Sequence, residues 1–308
     1  MEILFFLLTT ILLASSTVTA QLTFTARVQQ FGQDADASEL NFVPIQPMGR
    51  RKLPPSYYRQ RGSVNGTITL TNASDKGERD LVSESANWCG ASQHTEGDDQ
   101  VADILGVFTV PDLTLRQGKA PPQFASAWVG IDGAACSSVL LQAGVTTVLR
   151  QEHVRDVGGK QVNSNGGQSA SAWWEWYPEG AYTIEGLRVK PGEWISVNIT
   201  TTSPSSASIV ITNIDRGYSV SLVVSNGPKL CRTDAEWILE DFEDAGKQVT
   251  LANFADLWFL DAGATTVRGK KLGIDGATMV HMVDENGTLM CSAEPFDNAS
   301  FVVMSHVK

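Results

Sequence analysis

Past residue 85 the chain is written in short runs of strand type, and no stretch sustains the 3.6-residue period of an amphipathic helix. The apolar or alternating runs are 104–110, 125–131, 139–149, 170–177, 194–201, 207–214, 218–224, 236–242, 279–283 and 301–305, with Gly, Pro, Asn, Asp and Ser between them. Short strands with no helical crossovers must pair with their chain neighbours. That restricts 85–308 to an all-β fold, an antiparallel sandwich or jelly roll, and the segment is short enough to form it as one domain.

What precedes this body is of another kind. Residues 3–14 form an apolar core too short for a membrane span, and Val18-Thr19-Ala20 is a small-residue cleavage site. Residues 1–20 are therefore expected to be a secretory signal, although Glu2 replaces the usual basic residue. No later apolar run is long enough to span a bilayer, so the mature protein is expected to be secreted and free of the membrane. Asn65, Asn72, Asn198, Asn286 and Asn298 head Asn-X-Ser/Thr acceptor sequences, which suits that route. In an oxidising compartment the four cysteines, Cys89, Cys136, Cys231 and Cys291, allow three pairings.

Residues 21–84 read as a propeptide. Positions 40–70 hold Arg50, Arg51, Lys52, Arg59 and Arg61 without one acid, and Pro44, Pro47, Pro54 and Pro55 argue against regular structure there. From Ser85 onward 26 Asp and Glu face 15 Lys and Arg, which accounts for the whole net charge of −11. A basic leader before an acidic body suggests an intramolecular inhibitor held by charge over an acidic cleft, with Arg50-Arg51-Lys52 a candidate processing site. An acidic body also argues against nucleic acid as a partner.

The common hydrolase signatures are absent: no His-Glu-X-X-His, no Gly-X-Ser-X-Gly and no Gly-rich phosphate loop. The histidines, at 94, 153, 281 and 306, lie in no motif, so metal and His-assisted nucleophile chemistry have little support, and no cofactor is called for. Carboxylates, amides and tryptophans remain. The densest stretch is 231–243, where Glu236, Glu240, Asp241 and Glu243 alternate with Trp237, Ile238, Leu239 and Phe242. Period two puts Glu236, Ile238, Glu240 and Phe242 on one face, mixing acid with large apolar groups. Such neighbours strip hydration from a carboxylate and move it toward proton-transfer chemistry; an exposed acidic edge strand is the plain alternative. In 171–178 the same alternation groups Trp173, Glu175 and Tyr177, as in the wall of a groove or the rim of a tryptophan-rich core. Gln142 is the one amide inside an apolar run, so it is either networked or facing a cleft.

These segments together carry a resemblance. Asn87-Trp88-Cys89-Gly90-Ala91, residues 127–133, Leu141-Gln142-Ala143-Gly144, residues 172–178 and residues 235–243 resemble, in order, the secreted glutamic peptidases, the eqolisins. The resemblance implies a concanavalin-like sandwich of two large antiparallel sheets with polypeptide substrate in a concave groove. It puts the catalytic glutamine on Gln142, the catalytic glutamate on Glu240, and supporting groove residues on Trp88, Trp128, Asp132 and Glu175. It also implies a Cys136–Cys231 disulfide. Cys89 departs from the family's small residue, which leaves open whether it pairs with Cys291 or stays a free thiol beside the groove.

On this reading Glu240 takes a proton from water and returns it to the leaving amine, while the Gln142 amide steadies the oxyanion. The protein is expected to be a monomeric acid endopeptidase. Two rivals stand beside it. One is a glycoside hydrolase on the same sandwich, with Glu175 and Glu240 as its carboxyl pair. The other is a lectin-like binding module without turnover.

Overall fold

Strict alternation gives each strand a face to bury, and Ser206–Asn213 shows it plainly, with every second side chain inside. The computed structural model describes residues 21–46, 81–150, 152–155, 161–164 and 167–308, and no helix occurs among them. Each of the ten runs lies on a strand. The signal segment, Arg50-Arg51-Lys52, Arg59, Arg61, Asn65 and Asn72 lie outside the described residues.

The strands make two layers. In the first the lateral order is Asn41–Ile45, Gly180–Glu185, Gln168–Tyr177, Leu140–Leu149, Gln123–Ile131, Asp234–Glu240, Trp88–His94, Thr278–Val283 and Leu81–Ser85. All these pairings are antiparallel except the last. The second layer runs Thr23–Gln30, Tyr218–Ser225, Ser206–Asn213, Trp194–Ser203, Val101–Thr109, Leu257–Thr266, Ser300–Ser305 and Leu289–Asp297. Leu289–Asp297 also bonds to Thr278–Val283, so the two layers are one sheet folded over. Between them lies the main core, and Trp237 crosses it to donate from Nε1 to the Leu105 carbonyl at 2.7 Å. A second apolar cluster, including Trp88, Trp128, Trp173, Ile238 and Phe242, covers the outer face of the first layer.

Two disulfides fasten this arrangement. Cys136–Cys231 ties the loop after Gln123–Ile131 to the lead-in of Asp234–Glu240. Cys89 pairs with Cys291 and faces the inter-layer core, so no thiol stands beside Trp88 at the outer face.

The leader differs from its sequence reading. Thr23–Gln30 pairs along its whole length with Tyr218–Ser225, and Asn41–Ile45 pairs with Gly180–Glu185 despite Pro44. Proline is tolerated because Asn41–Ile45 is an edge strand, where a missing N–H breaks no ladder on its open side.

Candidate active site

Cross-strand register turns the outer face of the first layer into a grid. One row reads Glu175, Gln142, Gly130, Glu236 and Ser92 across adjacent strands. The next reads Trp173, Gly144, Trp128, Ile238 and Gly90, and the third Ser171, Thr146, Ser126, Glu240 and Trp88. Strand alternation sends all of these side chains to one side, while Leu141, Ala143, Val145, Ala127, Val129, Trp237 and Leu239 enter the inter-layer core. The face predicted for Glu236, Ile238, Glu240 and Phe242 is the one observed, and so is the grouping of Trp173, Glu175 and Tyr177.

Gln142 and Glu240 therefore share a face, at diagonal corners around Trp128. Glu240 is buried and held from two sides: Asn87 Nδ2 donates to Oε1 at 2.9 Å and Trp128 Nε1 to Oε2 at 2.8 Å. Donors on both oxygens fix the carboxylate's orientation. Trp88 packs edge-on against Trp128, with ring centroids 5.1 Å apart. Gln142, also buried, donates from Nε2 to Glu175 Oε2 at 2.7 Å, and its Oε1 has no hydrogen-bond partner among the described residues. An amide carbonyl left unpaired in a buried site is costly unless something arrives to donate to it.

Glycine lets this floor pack closely. A Cβ at Gly130 would come within 3.0 Å of the Trp128 ring and 3.1 Å of Leu140, and one at Gly144 would lie 2.2 Å from the Ala127 carbonyl oxygen. Gly130 stands between Gln142 and Glu236 in its row, and Glu236 Oε1 accepts from the Ala134 N–H at 2.8 Å.

Asp132 stands apart from the grid. It follows Gln123–Ile131 at a positive φ of 69°, and its carboxylate accepts the N–H groups of Arg232 and Thr233 at 2.9 and 2.8 Å. Burial pushes its pKa up, with the Asp234 charge adding to the rise, against the pull of those N–H donors. Beside it, Asp234 accepts from the Ala135 and Cys136 N–H groups and meets His94 Nδ1 at 2.7 Å. The two aspartates fasten the loops that the Cys136–Cys231 disulfide joins, and so hold the start of the Glu240 strand. Sequence reasoning gave no role to Asn87, Ser126 or Thr146. Asn87 sat within a quoted motif, but only the pairing of Trp88 with Glu240 shows what it touches.

Of the glycan acceptor sequences among the described residues, Asn286 and Asn298 are exposed. Asn198 is mid-strand with Nδ2 engaged by Asp103 and the Ile104 carbonyl.

The Peptidase A4 family model matches residues 86–305. The chain is 32% identical over 224 residues to aspergillopepsin-2 of Aspergillus niger, covering 67% of this chain and 73% of that protein. It is 32% identical over 210 residues to scytalidopepsin B of Scytalidium lignicola, covering 65% and 71%. Among solved structures, scytalido-glutamic peptidase with a peptide-based transition state analog superposes at a TM-score of 0.57 and 26% identity, over 71% of this chain and 98% of the other. Aspergilloglutamic peptidase from Aspergillus niger gives 0.51 and 34%, over 59% and 99%. An all-β sandwich of this topology, matched across 86–305, places the chain in the peptidase A4 family, the eqolisins, as a glutamic-type peptidase.

Proposed function

We propose that the protein is a secreted acid endopeptidase in which Gln142 and Glu240 act together on one peptide bond. The observation that carries this is the pair of buried polar groups on one face: a carboxylate fixed by two donors, and an amide whose carbonyl oxygen lacks a partner among the described residues. Two strand spacings and two alternations separate their Cα atoms by roughly 16 Å in a flat sheet. Both side chains rise from the same face of the sheet, so a substrate strand lying over Trp128 would meet both.

Glu240 abstracts the proton of that water and later passes it to the leaving nitrogen. The Gln142 amide has a second N–H for the developing oxyanion, and its Oε1 is placed to accept from the water. Glu175 holds the amide by its first N–H. A carboxylate base works in acid, where imidazole is already protonated and useless as a base. The low Lys and Arg content of the body limits positive self-repulsion in the same conditions.

The leader is fastened on both sides of this face. Asn41–Ile45 and Leu81–Ser85 lie at opposite edges of the sheet that carries Gln142 and Glu240. That supports a latency role for the basic stretch between them, whose arginines would pair with groove acids at neutral pH and release as those acids protonate. Polypeptide is the substrate class, and the working form on this reading is a monomer without a resident cofactor.

The test is to acidify the secreted protein to about pH 3–4, below the reference pKa of a glutamate, and offer it denatured protein beside a β-glucan. Peptides should appear, and Gln142→Ala and Glu240→Gln should each lower turnover by ~10²-fold or more. Reducing sugar without peptides would point instead to a glycosidase using Glu175 and Glu240. Binding that survives Glu240→Gln with no turnover in either form would point to a lectin.

A further inference from the structure

The family match begins at residue 86, yet the two layers are completed along one side by strands that come well before it. Thr23–Gln30 extends the second layer with unbroken register from Thr23 opposite Ser225 to Gln30 opposite Tyr218. Asn41–Ile45 extends the first layer, from Asn41 opposite Glu185 to Ile45 opposite Ala181. These are edges on the same side of the sandwich, and the leader closes the gap between them. Phe24, from the second layer, meets Phe42 at 4.9 Å, Trp174 at 5.1 Å and Tyr182 at 5.2 Å between ring centroids. Leu22, Leu40 and the buried Val28 add to the seal. Polar ties hold the periphery: Asn41 Nδ2 donates to Glu185 at 2.9 Å, and Arg188 meets Glu39 at 3.1 Å.

A segment built this way differs from a detachable inhibitor. Its removal would strip Phe24 and Phe42 from Trp174 and leave two long strands with open hydrogen-bonding edges, a standing invitation to aggregate. It also reaches the functional face. Ile45 and Gln46 line a cavity of about 190 Å³ with Thr146, Trp173 and Phe242, and Glu243 and Asp244 stand at its side. Trp173 and Thr146 belong to the grid that holds Gln142 and Glu240.

We infer that residues 21–46 are a permanent part of the folded enzyme, kept after any cut between Gln46 and Leu81, and that Ile45 supplies one wall of a pocket for a large apolar substrate side chain. The leader is thus two things in sequence: a structural strand pair, then the basic stretch to which latency belongs. The pocket rests on the peptidase reading; retention of the strands does not.

The experiment uses the full chain carrying Glu240→Gln, with a recognition sequence for a site-specific protease placed between Gln46 and Leu81. After cutting, the protein is passed over a sizing column at pH 4 and at pH 7, and the peak is weighed by mass spectrometry. The N-terminal fragment should co-elute with the body in about one-to-one ratio and separate only in denaturant. Release of the fragment under native conditions at either pH overturns retention, whatever state the body is left in. For the pocket, active Ile45→Trp is compared with wild type on matched peptides bearing leucine or glycine at the variable position. Filling the wall should lower the leucine-over-glycine preference about tenfold. An unchanged preference at every position of the peptide overturns the pocket while leaving peptidase activity itself intact.

Discussion

Replacing Gln142 by Glu changes almost no volume but puts a second carboxyl against Glu175, to which the amide now donates at 2.7 Å inside the protein. In acid the new side chain is protonated, and its O–H can make the bond that Nε2 makes. Once both groups ionise, two like charges some 4 Å apart at an effective dielectric near 20 repel by about 4 kcal/mol. The folded state avoids this by keeping one proton on the pair, so it binds one proton more than the unfolded chain above a glutamate's reference pKa of about 4.3. A proton held more tightly in the folded state contributes stability that is whole below the unfolded pKa and is lost as pH rises through the folded one. The loss runs at about 1.4 kcal/mol per pH unit, so by pH 7 the variant should have fallen behind by about 3.7 kcal/mol. That lies just within the 4 kcal/mol limit, so the slope should persist to neutrality. The assay is urea unfolding from pH 3.5 to 7.5, with both proteins in a Glu240→Gln background so that self-digestion does not intrude. A gap between variant and parent that stays flat across this range would refute the Gln142–Glu175 contact.

Asp132 makes a related forecast with its own sign. Its pKa is raised in the folded protein, chiefly by burial, so its contribution favours folding in acid and fades as pH rises above the usual aspartate range. Asp132→Asn should lower stability at every pH by roughly 1–3 kcal/mol through a mismatched N–H, yet flatten the decline toward neutrality, as read from melting temperature against pH. An unchanged slope would count against burial as the cause. Replacing both Cys89 and Cys291 by alanine opens a link across 202 residues and should cost up to about 5 kcal/mol in urea unfolding on the chain-entropy model. A loss under 1 kcal/mol would show that the link constrains little. Gly144→Ala sets a methyl 2.2 Å from the Ala127 carbonyl oxygen and 2.6 Å from Trp128 Cβ, so it should destabilise by at least roughly 1–3 kcal/mol and lower kcat by moving Trp128 against Glu240. Wild-type stability and kcat together would mean that the two strands lie further apart than described.

Much of the fold was legible because a two-residue period is a local property. Alternation in 236–242 and 171–177 assigned the faces of Glu236, Glu240, Trp173 and Glu175 correctly, with no knowledge of neighbours. Pairing is not local. That Gln142 stands opposite Glu175, that Asn87 reaches Glu240, and that Trp128 sits between the two catalytic candidates all depend on register between strands tens of residues apart. Asp132 illustrates the same limit, since its partners at 232 and 233 lie a hundred residues downstream across a disulfide. Asn41–Ile45 escaped for another reason: proline is a sound argument against an interior strand, and it carries little weight at an edge.

Register, though unreadable from one strand, is strongly determined by all of them together. A slip of one residue in Leu140–Leu149 would turn Leu141, Ala143 and Val145 out of the core and drive Gln142 into it, an unpaired amide among aliphatic side chains. The facing strand resists the same slip through Ala127, Val129 and Ile131, and Trp237 resists it from the next strand by its bond to Leu105 across the layers. Gly144 adds a steric lock, because no other position in its strand could lie against Ala127 and Trp128 at that distance. The diagonal between Gln142 and Glu240 is thus set by apolar residues that never meet a substrate. The precision a water-activating pair requires comes from the packing between the layers, and substitutions there should alter turnover before they alter binding.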